Sequence, residues 1–329
     1  MILIGIAFVF INGYSTYKLV VCILLVIYKA IEAFSEIFYG IMQKNQLLYV
    51  TGQSFTIKSL GGLVALLIVD IITKNLILAI LSAITVSILT TILFDYIVVR
   101  KLVDKKEKVN FRNVLSIYKN EFFVFANTFA AVYILNAPKY SIDKFLEQDM
   151  QAMFGYIIMP ASIMVLFTQF IFMPYLNRIK ELYEQKDMGN FKKLAFKIKM
   201  FVLAFGVFAI GAAYFVGPEV LKLIYGVPEL LNYRMNLCII LIAFVFYGMS
   251  YVNLVLLTTT RNTFIQFVIY IITMIIALVG SNILVKQYGI DGATYSCIIT
   301  LITQFIMYTI VTKIILHKIS IKNSSKVGG

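Results

Sequence analysis

The sequence predicts an all-α fold, a polytopic membrane helix bundle of two pseudo-repeated lobes, the first incomplete, with about nine or ten spans. Three observations predict it. Hydrophobic residues make up 61% of the 329 and charged residues 14%, and the mean hydropathy is +0.90; soluble domains do not reach that balance. Apolar stretches long enough to cross a bilayer recur along the chain, and backbone groups in lipid are satisfied only inside helices or closed barrels. The formal net charge of +13 falls in alternate loops rather than in one patch. That distribution fits the positive-inside bias and argues against nucleic acid as a partner.

The elements follow in order. Met1–Ile11 is about half a span, so the chain reads as opening in mid-helix, either truncated or with a misplaced start; the alternative is a short re-entrant or surface-lying segment. The first residues carry no basic start and therefore no cleavable signal pattern. Fuller spans are expected at 19–43, 51–72, 75–99, 121–138, 151–176, 197–217, 235–259, 263–285 and 291–316. If they alternate, three basic segments share one side, which the charge bias makes cytoplasmic: Arg100 to Lys119, Arg178 to Lys199, and the tail with Lys313, Lys318, Lys322 and Lys326. The implied domains are an incomplete N-terminal lobe at 1–100, a basic cytoplasmic linker at 101–120, a six-helix C-terminal lobe at 121–316 and a cytoplasmic tail at 317–329. The run Phe38-Tyr39-Gly40-Ile41-Met42 and its echo Phe246-Tyr247-Gly248-Met249 hint at the repeat between lobes. Glu181–Lys199 reads as a polar surface helix interrupted at Gly189.

Charge inside these spans marks candidate sites, because each ion at membrane depth is expensive unless it faces protein, water or a partner. Lys29, Glu32 and Glu36 fall within an arc of about 60° on one helix face, at 100° per residue, and Gln43 extends the stripe. The bland alternative is a buried Lys29–Glu32 pair, with Glu36 reaching water. Lys58 lies inside the next helix, where a lysine snorkelling to the headgroups is the ordinary reading. Lys139 follows Pro138, which can kink or end its helix. Asp95 is expected to be wet at a membrane edge, and Asp70 and Lys74 to pair across an outer turn. Asn127, Gln169, Asn253, Thr300 and Gln304 line a cavity or tie helices together. Cys22, Cys238 and Cys297 sit in apolar stretches at scattered spacings, with neither a disulfide nor a metal pattern. No phosphate loop, metal-ligand spacing or acid–base constellation is present, so an enzyme is not expected.

Tyr39-Gly40-Ile41-Met42-Gln43 with Gly52-Gln53-Ser54, then Pro138-Lys139-Tyr140-Ser141-Ile142-Asp143-Lys144, Phe154-Gly155-Tyr156 and Pro174, resemble the polysaccharide and O-antigen flippases of the multidrug/oligosaccharidyl-lipid/polysaccharide exporter superfamily. The resemblance covers essentially the whole chain and rests on the order and spacing of weak motifs. It implies a two-lobed bundle that flips an undecaprenyl-pyrophosphate-linked oligosaccharide from the inner to the outer leaflet by alternating access. It also implies location in the cell membrane with the C-terminus cytoplasmic. No cofactor is implied beyond coupling to H+ or Na+. The implied partners are the lipid-linked oligosaccharide, membrane lipids, a polysaccharide polymerase and glycosyltransferases. On that reading Lys29, Glu32 and Glu36 bind substrate or a coupling ion, and Lys58 and Lys139 contact the pyrophosphate. The alternatives are a drug/cation antiporter of the same superfamily and a non-functional truncated fragment, since the pattern lacks its first helices.

Overall fold

The computed structural model describes residues 16–103 and 111–325. The half-span at Met1–Ile11, the linker lysines Lys105, Lys106 and Lys108, and Lys326 of the tail lie outside them. The described residues are helical almost throughout, in two compact units that divide after Asn110. The first unit holds α1 (Thr16–Lys44), α2 (Leu48–Thr73) and α3 (Leu76–Leu102). The second holds α4 (Phe111–Phe145), α5 (Gln148–Phe172), the short α6 (Leu176–Glu184), α7 (Met188–Tyr225), α8 (Arg234–Thr259) and a final helical stretch, Thr263–Ser325. That last stretch breaks at Gly289, with φ 58° and ψ −130°, into α9 (263–288) and α10 (290–325).

Each of the nine expected spans coincides with a helix, and six of the described helical stretches are long and apolar enough to cross a membrane. Their outward faces carry side chains that water would reject, such as Leu223 at 85% and Ile72 at 75% exposure. The chain is a multi-pass membrane protein of the all-α class. Two boundaries depart from expectation. α4 already begins at Phe111, so the second half of the basic 101–120 segment is helical. The polar helix before α7 stops at Glu184, and Gly189 lies in the first turn of α7.

Short turns set the helices antiparallel. Left-handed residues end five of them, Gln46, Lys74, Lys186, Gly226 and Arg261, and the turns at Gln46, Lys186 and Arg261 share one pattern. In each, two backbone bonds fold back: Leu47 N–H to Met42 O at 2.9 Å and Gln46 N–H to Gln43 O at 3.0 Å, matched by Asn262 to Leu257 at 2.9 Å and Arg261 to Thr258 at 2.9 Å, and by Asp187 to Leu182 at 3.0 Å and Lys186 to Tyr183 at 3.1 Å. These bonds occupy the last carbonyls of each helix, which would otherwise be orphaned. The helix ends also locate the two Phe-Tyr-Gly motifs. Gly40 lies about one turn before the end of α1, whereas Gly248 lies about three turns before the end of α8. A Cβ on Gly40 would meet nothing within 4 Å, whereas one on Gly248 would stand 2.7 Å from Thr168 Oγ1. The two short motifs therefore do not occupy equivalent places.

In the second unit α8 is apolar on every side because it is packed on every side, against α5, α7 and the α9–α10 pair. Phe154, Ile157, Leu237, Ile240 and Tyr308 form the centre of that core. Pro218, inside α7, has no N–H for the Tyr214 carbonyl one turn back. Arg234 supplies the donor, bonding Tyr214 O, Phe215 O at 3.3 Å and the Glu219 carboxylate.

At the break after α9, a Cβ on Gly292 would lie 1.9 Å from the Leu284 carbonyl oxygen. Gly292→Ala should therefore lose about 1–3 kcal/mol of stability or more, whereas Gly280→Ala, with open space around it, should be nearly neutral; thermal melts in detergent compare them. A second expectation concerns the α7 cap. Asp187 accepts the Asn190 backbone N–H at 3.0 Å and the Asn190 side-chain amide at 2.6 Å, and the backbone bond is the main cause holding its carboxyl below the ordinary value. A lowered folded pKa means that the cap acts fully above the unfolded carboxylate pKa and is lost as pH falls through the folded one. Amide exchange at Asn190 should quicken across that acidic window, and Asp187→Asn should remove the pH dependence while keeping the cap.

Candidate functional site

The described part of the first unit has a small apolar core, Met42, Val50 and Val99 with their neighbours. At its centre lies a polar network instead. Lys58 on α2 is 4% exposed and Asp95 on α3 is 0% exposed. The Lys58 ammonium donates to Asp95 Oδ2 and, at 2.6 Å, to Ser35 Oγ on α1. The Tyr39 ring centroid lies 5.0 Å from the same ammonium. Ser54 Oγ donates to Asp95 Oδ1. That bond uses the single hydroxyl proton of Ser54, so at the 3.1 Å contact between them Tyr39 is the donor. Ser35 also meets Thr91 Oγ1 at 3.0 Å.

Local structure makes this meeting possible. Each of the three helices contributes two polar side chains four residues apart: Ser35 and Tyr39, Ser54 and Lys58, Thr91 and Asp95. That spacing stacks them on one helix face. Around Thr91–Tyr96 the backbone widens into one π-helical turn, a feature that often accompanies functional positions. Within it both Thr91 and Asp95 are buried, at 6% and 0% exposure. Ser87, one turn earlier, buries its Oγ with no partner among the described residues.

The expectations for Lys58 and Asp95 change accordingly. Lys58 does not snorkel; it turns inward. Asp95 is dry, because a buried ammonium needs a counter-charge more than the carboxylate needs water. Asp70 and Lys74 form no ion pair; the Lys74 backbone N–H instead closes on Asp70 O at 2.8 Å.

The stripe on α1 faces elsewhere. Lys29 bonds Glu32 at 2.6 Å, with side-chain exposures of 73% and 35%, and Glu36 is exposed with no ion-pair partner among the described residues. The pair is thus made, though on the outside rather than between helices. The buried side of α1, marked by Ser35 and Met42, is turned about 100° away from the stripe. Lys139 is half-buried just after Pro138, which neither ends nor shortens α4: the helix runs on to Phe145. Lys139 therefore projects from a continuous helix, and no charged partner stands against it among the described residues.

Of the polar residues expected in the second unit, Asn253 ties helices together, through Lys199 at 2.5 Å and Thr309 at 3.1 Å. Asn127 Oδ1 and Gln304 Oε1 are buried without partners among the described residues, Thr300 is buried and Gln169 is exposed. Sequence reading missed the union of Lys58 with Asp95, although the matching four-residue spacings on three successive apolar helices were present to be found.

The chain is similar to a protein named for capsule synthesis. It is 24% identical over 306 residues, 90% of this chain and 74% of the relative, to the capsular polysaccharide biosynthesis protein CapF of Staphylococcus aureus. No family model and no solved structure matches it.

The network has a testable energetic signature. Lys58→Met or Asp95→Leu alone should strand a buried charge and cost about 3–5 kcal/mol, whereas the double replacement should recover most of that loss. Detergent melts of the three variants read it out. A double variant as unstable as the worse single one would mean that the two charges do not compensate each other.

Proposed function

We propose that the chain is a membrane transporter that flips an undecaprenyl-pyrophosphate-linked oligosaccharide from the inner to the outer leaflet of the cell membrane, for cell-surface polysaccharide synthesis, by alternating access. The observation that carries this reading is the similarity to a capsular polysaccharide biosynthesis protein across nine-tenths of a chain made of membrane-type helices. Polysaccharide units built on a lipid carrier at one face must cross to the other. On this reading the chain carries the lipid-linked unit across the membrane and is not an enzyme. The C-terminus is cytoplasmic by the lysine bias of the tail. A polymerase and glycosyltransferases are the expected partners.

The network in the first unit supports a division of labour. Lys58 is engaged by Asp95 and Ser35, so its charge is neutralised where a pyrophosphate would need it free. The pair is better suited to coupling, since a proton on Asp95 releases Lys58 from its counter-charge. Lys139, with no charged partner described, remains the candidate phosphate contact. Lys29, Glu32 and Glu36 present a mixed-charge surface, and its carboxylates suit H+ or Na+ better than an anion. The antiporter alternative calls for a compact acidic pocket lined by aromatic residues. The aromatic void of the second unit, between Tyr247, Tyr251, Tyr270 and Tyr308, has no acid among its lining residues.

Deletion of the gene should abolish surface polysaccharide and leave its lipid-linked precursor inaccessible to probes added outside intact cells. The intact gene should restore both, and Asp95→Asn at normal protein level should restore them at least roughly tenfold less well, by analogy with intramembrane carboxylates that carry ion pathways. Normal polysaccharide and outward-facing precursor in the deletion strain would overturn the proposal.

A further inference from the structure

The second unit holds a lysine pair that the transport reading leaves unused. Lys199 lies on α7, where the basic start of the helix gives way to an apolar run. Its ammonium donates to Asn253 Oδ1 at 2.5 Å, and Asn253 Nδ2 passes the link to Thr309 Oγ1 at 3.1 Å. Asn253 is 0% exposed, so one buried amide on α8 joins α7 to α10. Lys313 stands one turn beyond Thr309 on the same face of α10, near enough for its charge to act on Lys199. Neither lysine has a carboxylate at ion-pair distance among the described residues. Thr312, beside Lys313, buries a hydroxyl with no described partner.

This contrasts with Lys58, whose ammonium meets a carboxylate. Two neighbouring like charges repel each other, and the amide oxygen that meets Lys199 offsets little of the cost of partly burying it. The arrangement is complementary to an anion. Its surroundings say which kind. Phe196 and Leu203, one turn to either side of Lys199, and Ile310, one turn before Lys313, are all exposed. An anion held here carries hydrocarbon with it.

We infer that Lys199, anchored on Asn253, and Lys313 hold the phosphate of an anionic phospholipid whose acyl chains lie against Phe196, Leu203 and Ile310. The site belongs to the second unit alone and stands whether or not the chain transports a lipid-linked sugar. At about fivefold in affinity per lysine, removal of both should weaken retention roughly thirtyfold.

The test uses the purified full chain in zwitterionic detergent, with phosphatidylglycerol, phosphatidylcholine or inorganic phosphate added. Lipid retention is read by native mass spectrometry and stabilisation by thermal melting, each variant being referred to its own lipid-free melt so that a folding defect is read separately. Phosphatidylglycerol should be retained and stabilising, and phosphatidylcholine and inorganic phosphate should not. Lys199→Met with Lys313→Gln should lose the effect, exposed Lys313→Gln alone should lose roughly fivefold, and Lys192→Gln with Lys193→Gln on the same helix should keep it. Unchanged retention in the Lys199/Lys313 double variant, equal loss in the Lys192/Lys193 control, or equal stabilisation by inorganic phosphate would each overturn the assignment.

Discussion

A peptide group in the interior of a bilayer has no water to bond, and neither has a side-chain charge. The described helices, their ends and their buried charges answer that constraint. The backbone answers it with helices, and their ends with left-handed turns that return the last carbonyls to donors. Arg234 answers it where Pro218 withholds a donor from Tyr214. The Lys58–Asp95 pair answers it most fully: two ions, three hydroxyl-bearing neighbours and a tyrosine ring form one group of partners in which the carboxylate is completely buried.

The two units meet the cost of removing a lysine from water differently: Lys58 is buried and Lys199 half-buried. In the first, a carboxylate neutralises the lysine, and the network is closed except at Ser87. Such a group is stable as a whole and sensitive to the loss or protonation of any one member. In the second, Lys199 leans on a neutral amide, and its surroundings remain electropositive. A neutralised pair favours a switch, whereas an unneutralised pair favours capture of an anion.

Helix identity and order were legible in the sequence because they depend on local facts: hydropathy over twenty residues, turn residues between runs, and the periodic return of lysine in alternate loops. The candidate site was legible only in part. Lys58 stood out as a charge in an apolar helix. Asp95, close to Arg100 and Lys101, read as belonging to the wet end of its helix, so the two were not joined. The stripe of Lys29, Glu32 and Glu36 was more conspicuous than either, yet it lies on the outward side of α1. The two Phe-Tyr-Gly runs are no marker of a repeat for a related reason, since the same three residues sit at different distances from their helix ends and against different neighbours.

The sequence by itself determined that this chain is a bundle of membrane helices, because hydrogen bonding within a helix and partition into lipid are both properties of short segments. Which face of each helix turns inward, and so which charge is paired and which is presented, was decided only by the tertiary structure. Rotation about a helix axis costs nothing in backbone bonding. It is settled only when Ser35, Ser54, Lys58 and Asp95 find one another across three helices.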